Sequence, residues 1–323
     1  MENAMDEMRL ARVAAVRTVA TDVAAYDLVA ADGRELAPFS PGSHIDVHLP
    51  NGLIRQYSLC SDPSDISHYT IAVKKESAGR GGSLAMHERI EEGSSIAIAG
   101  PRNLFPLSGD GDGGSDDHSL FIAGGIGITP ILAMIRSLTA HGRSWELHYC
   151  ARSEQHAAFY RDLQALGGDR VHPYFSETPL LDASALLAAP RAATHVYCCG
   201  PVPLMNAVKE ATANWQDGRV HFEWFAAPEV EHAPNQAFEI ELSQSGRVLT
   251  VPSDQSILTV LRNAGIAVAS ACEEGVCGTC ETRVLAGQPD HRDMLLSASE
   301  RAANGSMMVC VSRACSARIV LDL

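Results

Sequence analysis

Four cysteines near the carboxyl end place the strongest constraint on what this 323-residue chain can fold into. They follow the spacing C-x4-C-x2-C-x29-C, as Cys272, Cys277, Cys280 and Cys310. Four thiolates suit a [2Fe–2S] cluster, and the x4 and x2 intervals are the plant-type ferredoxin arrangement. Gly275 and Gly278 lie between the ligands, where they permit unusual backbone dihedrals and close approach. The sequence therefore predicts a [2Fe–2S] cluster held by these cysteines.

A structural zinc site is the alternative use of four cysteine thiolates. Such sites usually combine two C-x2-C pairs, whereas here the fourth ligand is a single distant cysteine. Cys315, five residues after Cys310, is a second candidate for that fourth ligand. Cys310 is favoured because it follows the strand-like run Met307–Val309, and iron is favoured over zinc because of the spacing.

Composition and charge narrow the classes of function. An apolar fraction of 46% with 20% charged residues predicts a folded chain, whose length suits two or three domains. The net charge of −14 disfavours nucleic acid and anionic membranes as partners, because like charges repel. The first residues, MENAMDEMRL, lack the apolar core of a secretory signal, and no apolar stretch has the length of a membrane span. A soluble, cytoplasmic protein with reduced thiols is predicted.

Hydrophobic periodicity divides the chain into three predicted domains. Residues 1–105 contain short alternating strands, which predict an antiparallel β-barrel or sandwich. Residues 106–225 alternate five buried strands with four helices, which is typical of a parallel α/β sheet. The polar, proline-bearing residues 226–236 predict a linker. Residues 237–323 combine strands, a helix and the cysteine loop, as in an α+β domain.

Two motifs in the first domain predict a flavin site. In the run RQYS, Arg55 can pair with a phosphate, Tyr57 can cover an isoalloxazine or ribityl face, and Ser58 can hydrogen-bond the reactive N5 edge. The run GRGGS, Gly79–Ser83, precedes a predicted helix over Leu84–Ile90. Backbone amides at the start of that helix, together with the Ser83 hydroxyl, would form a second phosphate-binding element.

Two glycine-containing motifs in the second domain predict a dinucleotide site. GGIGITP, Gly124–Pro130, follows a buried strand and opens a helix, with Thr129 as the predicted N-cap and Pro130 as the first helical residue. Its glycines would let the backbone approach a pyrophosphate at the helix start. CGP, Cys199–Pro201, follows the fourth strand at the same sheet edge, where parallel sheets bind ligands. Cys199 is placed to contact a nicotinamide, with a buried apolar role as the alternative.

The last strand of the second domain ends in HFEWF, His221–Phe225. Phe225 is a candidate for shielding the flavin face that receives the hydride, and core packing is the alternative reading. Arg152 follows the second strand, where selectivity for the adenosine ribose is often set. An arginine there suits a 2′-phosphate, so the residues alone leave NADPH open beside NADH.

The order of these motifs resembles the phthalate dioxygenase reductase family, which includes the vanillate O-demethylase reductases. The resemblance runs from about Arg9 to Leu323. It implies a multidomain chain: a ferredoxin-reductase-like flavin barrel, an NAD-binding α/β domain and a C-terminal β-grasp ferredoxin, with FMN rather than FAD and NADH rather than NADPH. It assigns FMN contacts to Arg55, Tyr57, Ser58, Lys74, Gly81, Gly82 and Ser83, and nicotinamide contacts to Gly124, Gly125, Gly127, Thr129, Cys199 and Phe225. Among these, Ser58, Cys199 and Phe225 are the candidate catalytic residues.

The resemblance implies a reductase that feeds single electrons to a separate Rieske-type oxygenase acting on an aromatic acid or ether. NADH gives up two electrons as a hydride, whereas a [2Fe–2S] cluster accepts one at a time, so a flavin is needed between them. Two other functions fit the same motifs. One is a reductase for a cytochrome P450, and the other is a non-catalytic redox sensor or electron-transfer subunit of a larger complex.

Overall fold

The structure is a computed structural model that describes residues 8–109, 117–177, 180–191, 193–228 and 234–323. The chain forms two compact units, Met1–Phe225 and Ala226–Leu323. Part of the predicted linker, residues 229–233, lies outside the described residues. No helix in the described ranges combines the length and the apolar character that crossing a bilayer requires.

An antiparallel sheet forms the first layer of the Met1–Phe225 unit, in the order β4-β3-β6-β1-β2-β5. The strands of this layer and the helix between β5 and β6 are, in the described residues, β1 (Arg9–Ala20), β2 (Val23–Ala30), β3 (Ser43–His48), β4 (Ile54–Ser58), β5 (Tyr69–Lys74), α1 (Gly82–Arg89) and β6 (Ser95–Asn103). A turn at Pro50-Asn51-Gly52 joins β3 to β4, and Gly52 has the positive φ (80°) that such a turn requires. Apolar side chains such as Ile45, Val47 and Ile71 fill the interior of this sheet.

A parallel sheet forms the second layer, in the order β11-β10-β7-β8-β9. Its elements in the described residues are β7 (His118–Gly124), α2 (Ile128–Ala140), β8 (Trp145–Ala151), α3 (Tyr160–Gly167), β9 (Val171–Phe175), α4 (Ala183–Leu186), β10 (Thr194–Cys199), α5 (Val202–Ala211) and β11 (Val220–Glu223). The antiparallel barrel layer and the α/β layer that the sequence predicts are therefore both present.

The two layers share a core. Val23, Ala25 and Cys60 of the antiparallel layer pack in one apolar cluster with Phe121 and Leu132 of the α/β layer. A common core removes apolar surface of both layers from water at once, which makes them one compact unit. The first two predicted domains are distinct in topology but continuous in packing.

The predicted N-cap at Thr129 is wrong. A 3₁₀ turn over Gly125–Gly127 runs directly into α2, so that the helix begins at Ile128 and Gly127 occupies the N-cap position. The Thr129 hydroxyl instead donates to the Ile126 carbonyl oxygen at 3.0 Å. Pro130 is the third helical residue, still within the first turn, where its missing N–H costs no intrahelical hydrogen bond.

The Ala226–Leu323 unit is an α+β domain with a mixed sheet in the order β13-β12-β18-β14-β16. Its described elements are β12 (Phe238–Leu242), β13 (Arg247–Val251), α6 (Ile257–Asn263), β14 (Glu281–Ala286), β15 (Pro289–Asp290), α7 (Ala298–Ala303), β16 (Ser306–Met308), β17 (Arg313–Ala314) and β18 (Arg318–Leu321). The β12–β13 hairpin is antiparallel, and β12 pairs in parallel with β18. Ser256 caps α6, its hydroxyl accepting a hydrogen bond from the Thr259 amide at 3.1 Å. This is the β-grasp arrangement that the resemblance implies.

Candidate cofactor sites

The RQYS strand and the GRGGS turn, 25 residues apart, meet at one surface. Arg55, on β4, donates to the Ile54 carbonyl at 2.8 Å and to the Arg80 carbonyl at 3.4 Å. A Cβ on Gly82 would lie only 2.7 Å from Cγ and Nε of Arg55. Glycine at position 82 therefore lets the arginine stem lie against the start of α1, and the two predicted phosphate-binding elements form a single surface.

Helix α1 begins at this surface, so its first backbone amides lie beside Arg55. Gly81 is its N-cap, with φ of 81°, and the first amides of a helix have no acceptor within the helix. The Ser83 hydroxyl accepts a hydrogen bond from the Glu76 amide at 3.0 Å, which ties the helix start to the end of β5. Lys74, at the end of β5, forms an ion pair with the Glu76 carboxylate. An arginine beside free backbone amides is a suitable donor set for a flavin phosphate.

Tyr57 and Ser58 occupy the end of β4. The Tyr57 ring packs partly against the apolar interior of the antiparallel sheet. Burial raises the pKa of its phenol, which keeps the ring neutral. Ser58 is buried at the last position of the strand.

The glycines of GGIGITP and CGP bring two strand ends into backbone contact. A Cβ on Gly127 would lie 2.2 Å from the Cys199 carbonyl oxygen, and a Cβ on Gly124 would lie 2.4 Å from Cδ of Pro201. Gly125, between them, has φ of 55° and open space where a Cβ would point. The two motifs therefore form one cradle at the start of α2, with room beside Gly125, and this fits a dinucleotide pyrophosphate.

Glu223 is a site residue that the sequence reasoning missed. The Ser58 hydroxyl donates to its Oε2 at 3.3 Å, joining the end of β4 to the end of β11. Burial raises the pKa of the Glu223 carboxyl to about 8, so it carries a proton at neutral pH. The charge of ionised Glu223, after burial itself, contributes to raising the pKa of the fully buried Cys199 thiol. The sequence signal that could have identified Glu223 is its position as a single carboxylate inside the aromatic run HFEWF.

Phe225 follows β11 and is 41% exposed, whereas the neighbouring Trp224 is buried. The centroids of the Phe222 and Trp224 rings lie 6.3 Å apart, and the ring planes are tilted by 32°. Phe225 therefore stands outside the apolar core of its unit. Its predicted contact with a flavin remains a prediction.

The four predicted cluster ligands converge in the Ala226–Leu323 unit. Their thiols are buried and hydrogen-bond one another, Cys272 with Cys277 and Cys310, and Cys280 with Cys310. The Glu274 amide donates to the Cys272 sulfur at 3.3 Å. The thiol contacts lower the pKa of Cys272 and raise the pKa of Cys277 and Cys310, because the neighbouring thiols share protons.

The loop around these thiols is shaped for a compact inorganic group. Gly275 has φ of 71°, and a Cβ there would lie 2.6 Å from Cγ2 of Val311. Close packing of the loop on the chain after Cys310 thus depends on glycine. Cys315 lies apart, exposed, with its amide bonded to the Gln288 carbonyl at 2.8 Å. Four thiols with amides pointing at a sulfur fit a [2Fe–2S] cluster.

Three family models match successive parts of the chain. The oxidoreductase FAD-binding domain matches residues 10–106, the oxidoreductase NAD-binding domain matches residues 121–210, and the 2Fe-2S iron-sulfur cluster binding domain matches residues 240–317. Each falls on the part of the structure where the corresponding cradle lies. The cofactors are therefore a flavin, a nicotinamide dinucleotide and a [2Fe–2S] cluster, in that order along the chain.

Relatives of known activity match the whole length. The chain is 47% identical to the vanillate O-demethylase oxidoreductase of Pseudomonas sp. strain HR199, over 96% of this chain and 98% of that protein. It is 40% identical to the phthalate dioxygenase reductase of Burkholderia cepacia, over 97% of this chain and 96% of that protein.

Two solved structures agree with these sequence matches. Phthalate dioxygenase reductase, a modular structure for electron transfer from pyridine nucleotides to [2Fe–2S], superposes with a TM-score of 0.73 at 39% identity, covering 98% of both chains. An intact type IV self-sufficient cytochrome P450 monooxygenase superposes with a TM-score of 0.88 at 40% identity. The match covers 98% of this chain but 41% of that one. This chain belongs to the phthalate dioxygenase reductase family, the FMN- and [2Fe–2S]-containing, NADH-oxidising reductases of multicomponent oxygenases.

Proposed function

We propose that this protein oxidises NADH and delivers the electrons one at a time to a separate Rieske-type oxygenase that acts on an aromatic acid or ether. One observation carries the proposal: a flavin domain, a nicotinamide domain and a [2Fe–2S] domain occupy one chain, which matches oxygenase reductases end to end. The chemistry that bound FMN supplies is the conversion of a two-electron hydride into single electrons. Linkage in one chain makes the electron transfers intramolecular.

The proposed residue roles follow from the cradles. Arg55 and the first amides of α1, over Gly81–Ser83, hold the FMN phosphate. Tyr57 covers one side of the flavin ring and Ser58 bonds its N5 edge. Lys74, paired with Glu76, lies near the same surface.

The GGIGITP and CGP motifs hold the nicotinamide dinucleotide. The Gly124, Gly125 and Gly127 backbone admits the pyrophosphate beside the start of α2, and Thr129 holds that turn by its bond to the Ile126 carbonyl. Cys199, fully buried in the shared core, packs beneath the nicotinamide, and Phe225 shields the flavin face that receives the hydride.

Glu223 holds a proton on its partly buried carboxyl, and Ser58 donates to Oε2 of that group. A neutral carboxyl here keeps negative charge away from the flavin edge that Ser58 would bond. An ionised carboxylate would place a negative charge beside that edge. Glu223 thus acts through electrostatics next to Ser58.

The relatives include the reductases of a vanillate O-demethylase and of a phthalate dioxygenase, which supports an oxygenase of aromatic substrates as the acceptor. The net charge of −14 gives the chain an acidic surface, which would speed encounter with an oxygenase that presents a basic patch. We place the reaction in the cytoplasm, where a reducing thiol pool keeps cluster ligands available.

A haem-containing oxygenase is the second candidate acceptor. The chain is similar to part of a self-sufficient cytochrome P450, and it is 43% identical to the beta subunit of a heme-dependent oxidative N-demethylase from Ectopseudomonas mendocina. Both relatives belong to haem-dependent enzymes, so the acceptor has to be tested directly.

The test supplies the purified holoprotein with NADH and with oxygenases of both kinds, encoded near its gene. The proposal predicts rapid NADH-dependent reduction of cytochrome c by the reductase alone, and product formation with a Rieske oxygenase. Reduction of a P450 but of no Rieske oxygenase would establish the second candidate. NADH oxidation without electron delivery to any one-electron acceptor would contradict both.

A further inference from the structure

A second group of metal-ligand side chains lies in the α/β layer, away from the cofactor cradles. Glu146 and His148 project from β8, and His172 lies directly across from His148 on β9. One ligand atom from each of the three lies within 4.8 Å of the other two. Glu146 and His172 are each the second residue of their strand, whereas the glycine motifs follow the opposite, carboxyl ends of β7 and β10.

The separations suit a small tetrahedral ion. Zinc bonds of about 2.0–2.1 Å to nitrogen and oxygen place two ligand atoms of a tetrahedron about 3.3 Å apart. Oε1 of Glu146 lies 2.7 Å from Nε2 of His148 and 3.9 Å from Nε2 of His172. These two distances bracket the tetrahedral value. The His148 and His172 rings are stacked, with centroids 4.9 Å apart, and His172 is exposed enough to turn toward a shared ion.

His148 is already oriented as a metal ligand. Its Nδ1 lies 2.9 Å from the Tyr174 hydroxyl, which fixes the ring and leaves Nε2 pointing at Glu146. Metal-binding histidines almost always use their second nitrogen in this way.

The two oxygens of Glu146 face different neighbours. Oε1 faces His148 and His172, whereas Oε2 lies 3.6 Å from Nη1 of Arg191 and 3.6 Å from Nε2 of His118. Arg191 thus balances the charge of the oxygen that points away from the histidine pair. The first oxygen remains directed at the two imidazoles, as a monodentate carboxylate ligand would be.

We propose that Glu146, His148 and His172 form a binding site for a divalent transition-metal ion of the zinc class. Two imidazoles and one carboxylate are a ligand set that zinc uses, with solvent completing a fourth position. The ion would join β8 to β9, the edge strand of the parallel sheet, and would stabilise that edge. Nothing in the electron-transfer reaction requires it.

The test is zinc binding to the cofactor-loaded protein, freed of adventitious metal by dialysis against a mild chelator. Isothermal titration calorimetry with ZnCl₂ is expected to show one more equivalent of tight zinc in the wild type than in His172→Ala, which loses a ligand on an exposed side chain. Zinc is also expected to raise the melting temperature of the wild type but not of the variant. Tyr174→Phe, which removes only the orienting hydroxyl, should weaken zinc binding about tenfold.

The matched control is His68→Ala. His68 is also partly exposed and lies 3.3 Å from a carboxylate oxygen of Asp65, but His68 and Asp65 are not part of the three-ligand group. This variant should bind zinc as the wild type does. The flavin and cluster absorbance must stay constant throughout, so that zinc taken up by the four cysteines is not counted. Equal zinc binding by the wild type and His172→Ala, or none by the wild type, would overturn the proposal.

Discussion

Burial gives the Glu223 carboxyl an unusual titration, because it raises the pKa more than the hydrogen bond from Ser58 lowers it. In the folded chain the pKa of Glu223 is about 8, against an ordinary value of 4.5. Between these two pH values the unfolded chain has released this proton and the folded chain has kept it. The contribution of Glu223 to stability is therefore complete below pH 4.5 and is lost as pH rises through about 8.

Glu223→Gln should remove this pH dependence, because an amide keeps a neutral hydrogen-bonding group without titrating. The free energy of unfolding of the variant, relative to the wild type, should rise by about 2–3 kcal/mol between pH 6 and pH 8. Denaturant unfolding followed by tryptophan fluorescence measures this, because all three tryptophans, Trp145, Trp215 and Trp224, lie in the Met1–Phe225 unit. Parallel stability profiles for the two proteins would contradict a partly buried, neutral Glu223.

Arg55 is the second residue whose role can be isolated. Arg55→Ala should weaken FMN binding roughly 10- to 100-fold, because a charge-assisted hydrogen bond to a phosphate is worth about 1.5–3 kcal/mol. Fluorescence titration of flavin-stripped protein with FMN measures the change. Arg89→Ala, an exposed arginine at the end of α1, is the control and should bind FMN normally. Equal affinities of the two variants would remove Arg55 from the phosphate site.

At the scale of elements, the glycines set how closely strand ends approach. Gly127→Ala would place a methyl group 2.2 Å from the Cys199 carbonyl oxygen, so the CGP turn must shift. Overpacking of this kind costs about 1–3 kcal/mol and should also raise the KM for NADH. Gly305→Ala, where a Cβ meets nothing within 4 Å, should leave both unchanged. A Gly127→Ala variant with wild-type stability and KM would contradict the shared cradle.

Sequence patterns located most of the elements because burial imposes a clear period. The apolar runs Val171–Phe175 and Arg247–Val251 form strands. The pattern of residues 155–165 indicates one continuous helix, but α3 begins at Tyr160. Phe159 adopts a left-handed φ of 58° that interrupts the helix, and residues 154–156 form a separate 3₁₀ turn. Periodicity does not encode where a short turn ends and a helix begins.

The sites were predictable to the extent that their signals are local. The cysteine spacing lies within one stretch of chain, and GGIGITP is a contiguous run. Glu223 was missed because its partner, Ser58, is 165 residues away and its own neighbours are the aromatic residues of a core-like strand. The group formed by Glu146, His148 and His172 was missed for the same reason, since only the parallel pairing of β8 with β9 brings the two histidines together.

At the scale of the whole molecule, the chain comprises one unit with two layers and a second unit with the four thiols. The flavin and nicotinamide cradles lie in the layers that share a core, so their relative geometry is held by packing. The thiols lie in a unit with its own apolar core around Ile240, Leu258 and Ile319. Each unit therefore has the packing it needs to retain its own cofactor.

The central claim is that one chain carries both a flavin and a [2Fe–2S] cluster, and iron and acid-labile sulfide analysis of the purified protein tests it most directly. We expect two irons and two sulfides for each released FMN in the wild type and in Cys315→Ser. In Cys280→Ser we expect FMN with little iron, and loss of NADH-dependent cytochrome c reduction. Zinc without sulfide in anaerobically purified protein, or full iron content in Cys280→Ser, would contradict the account.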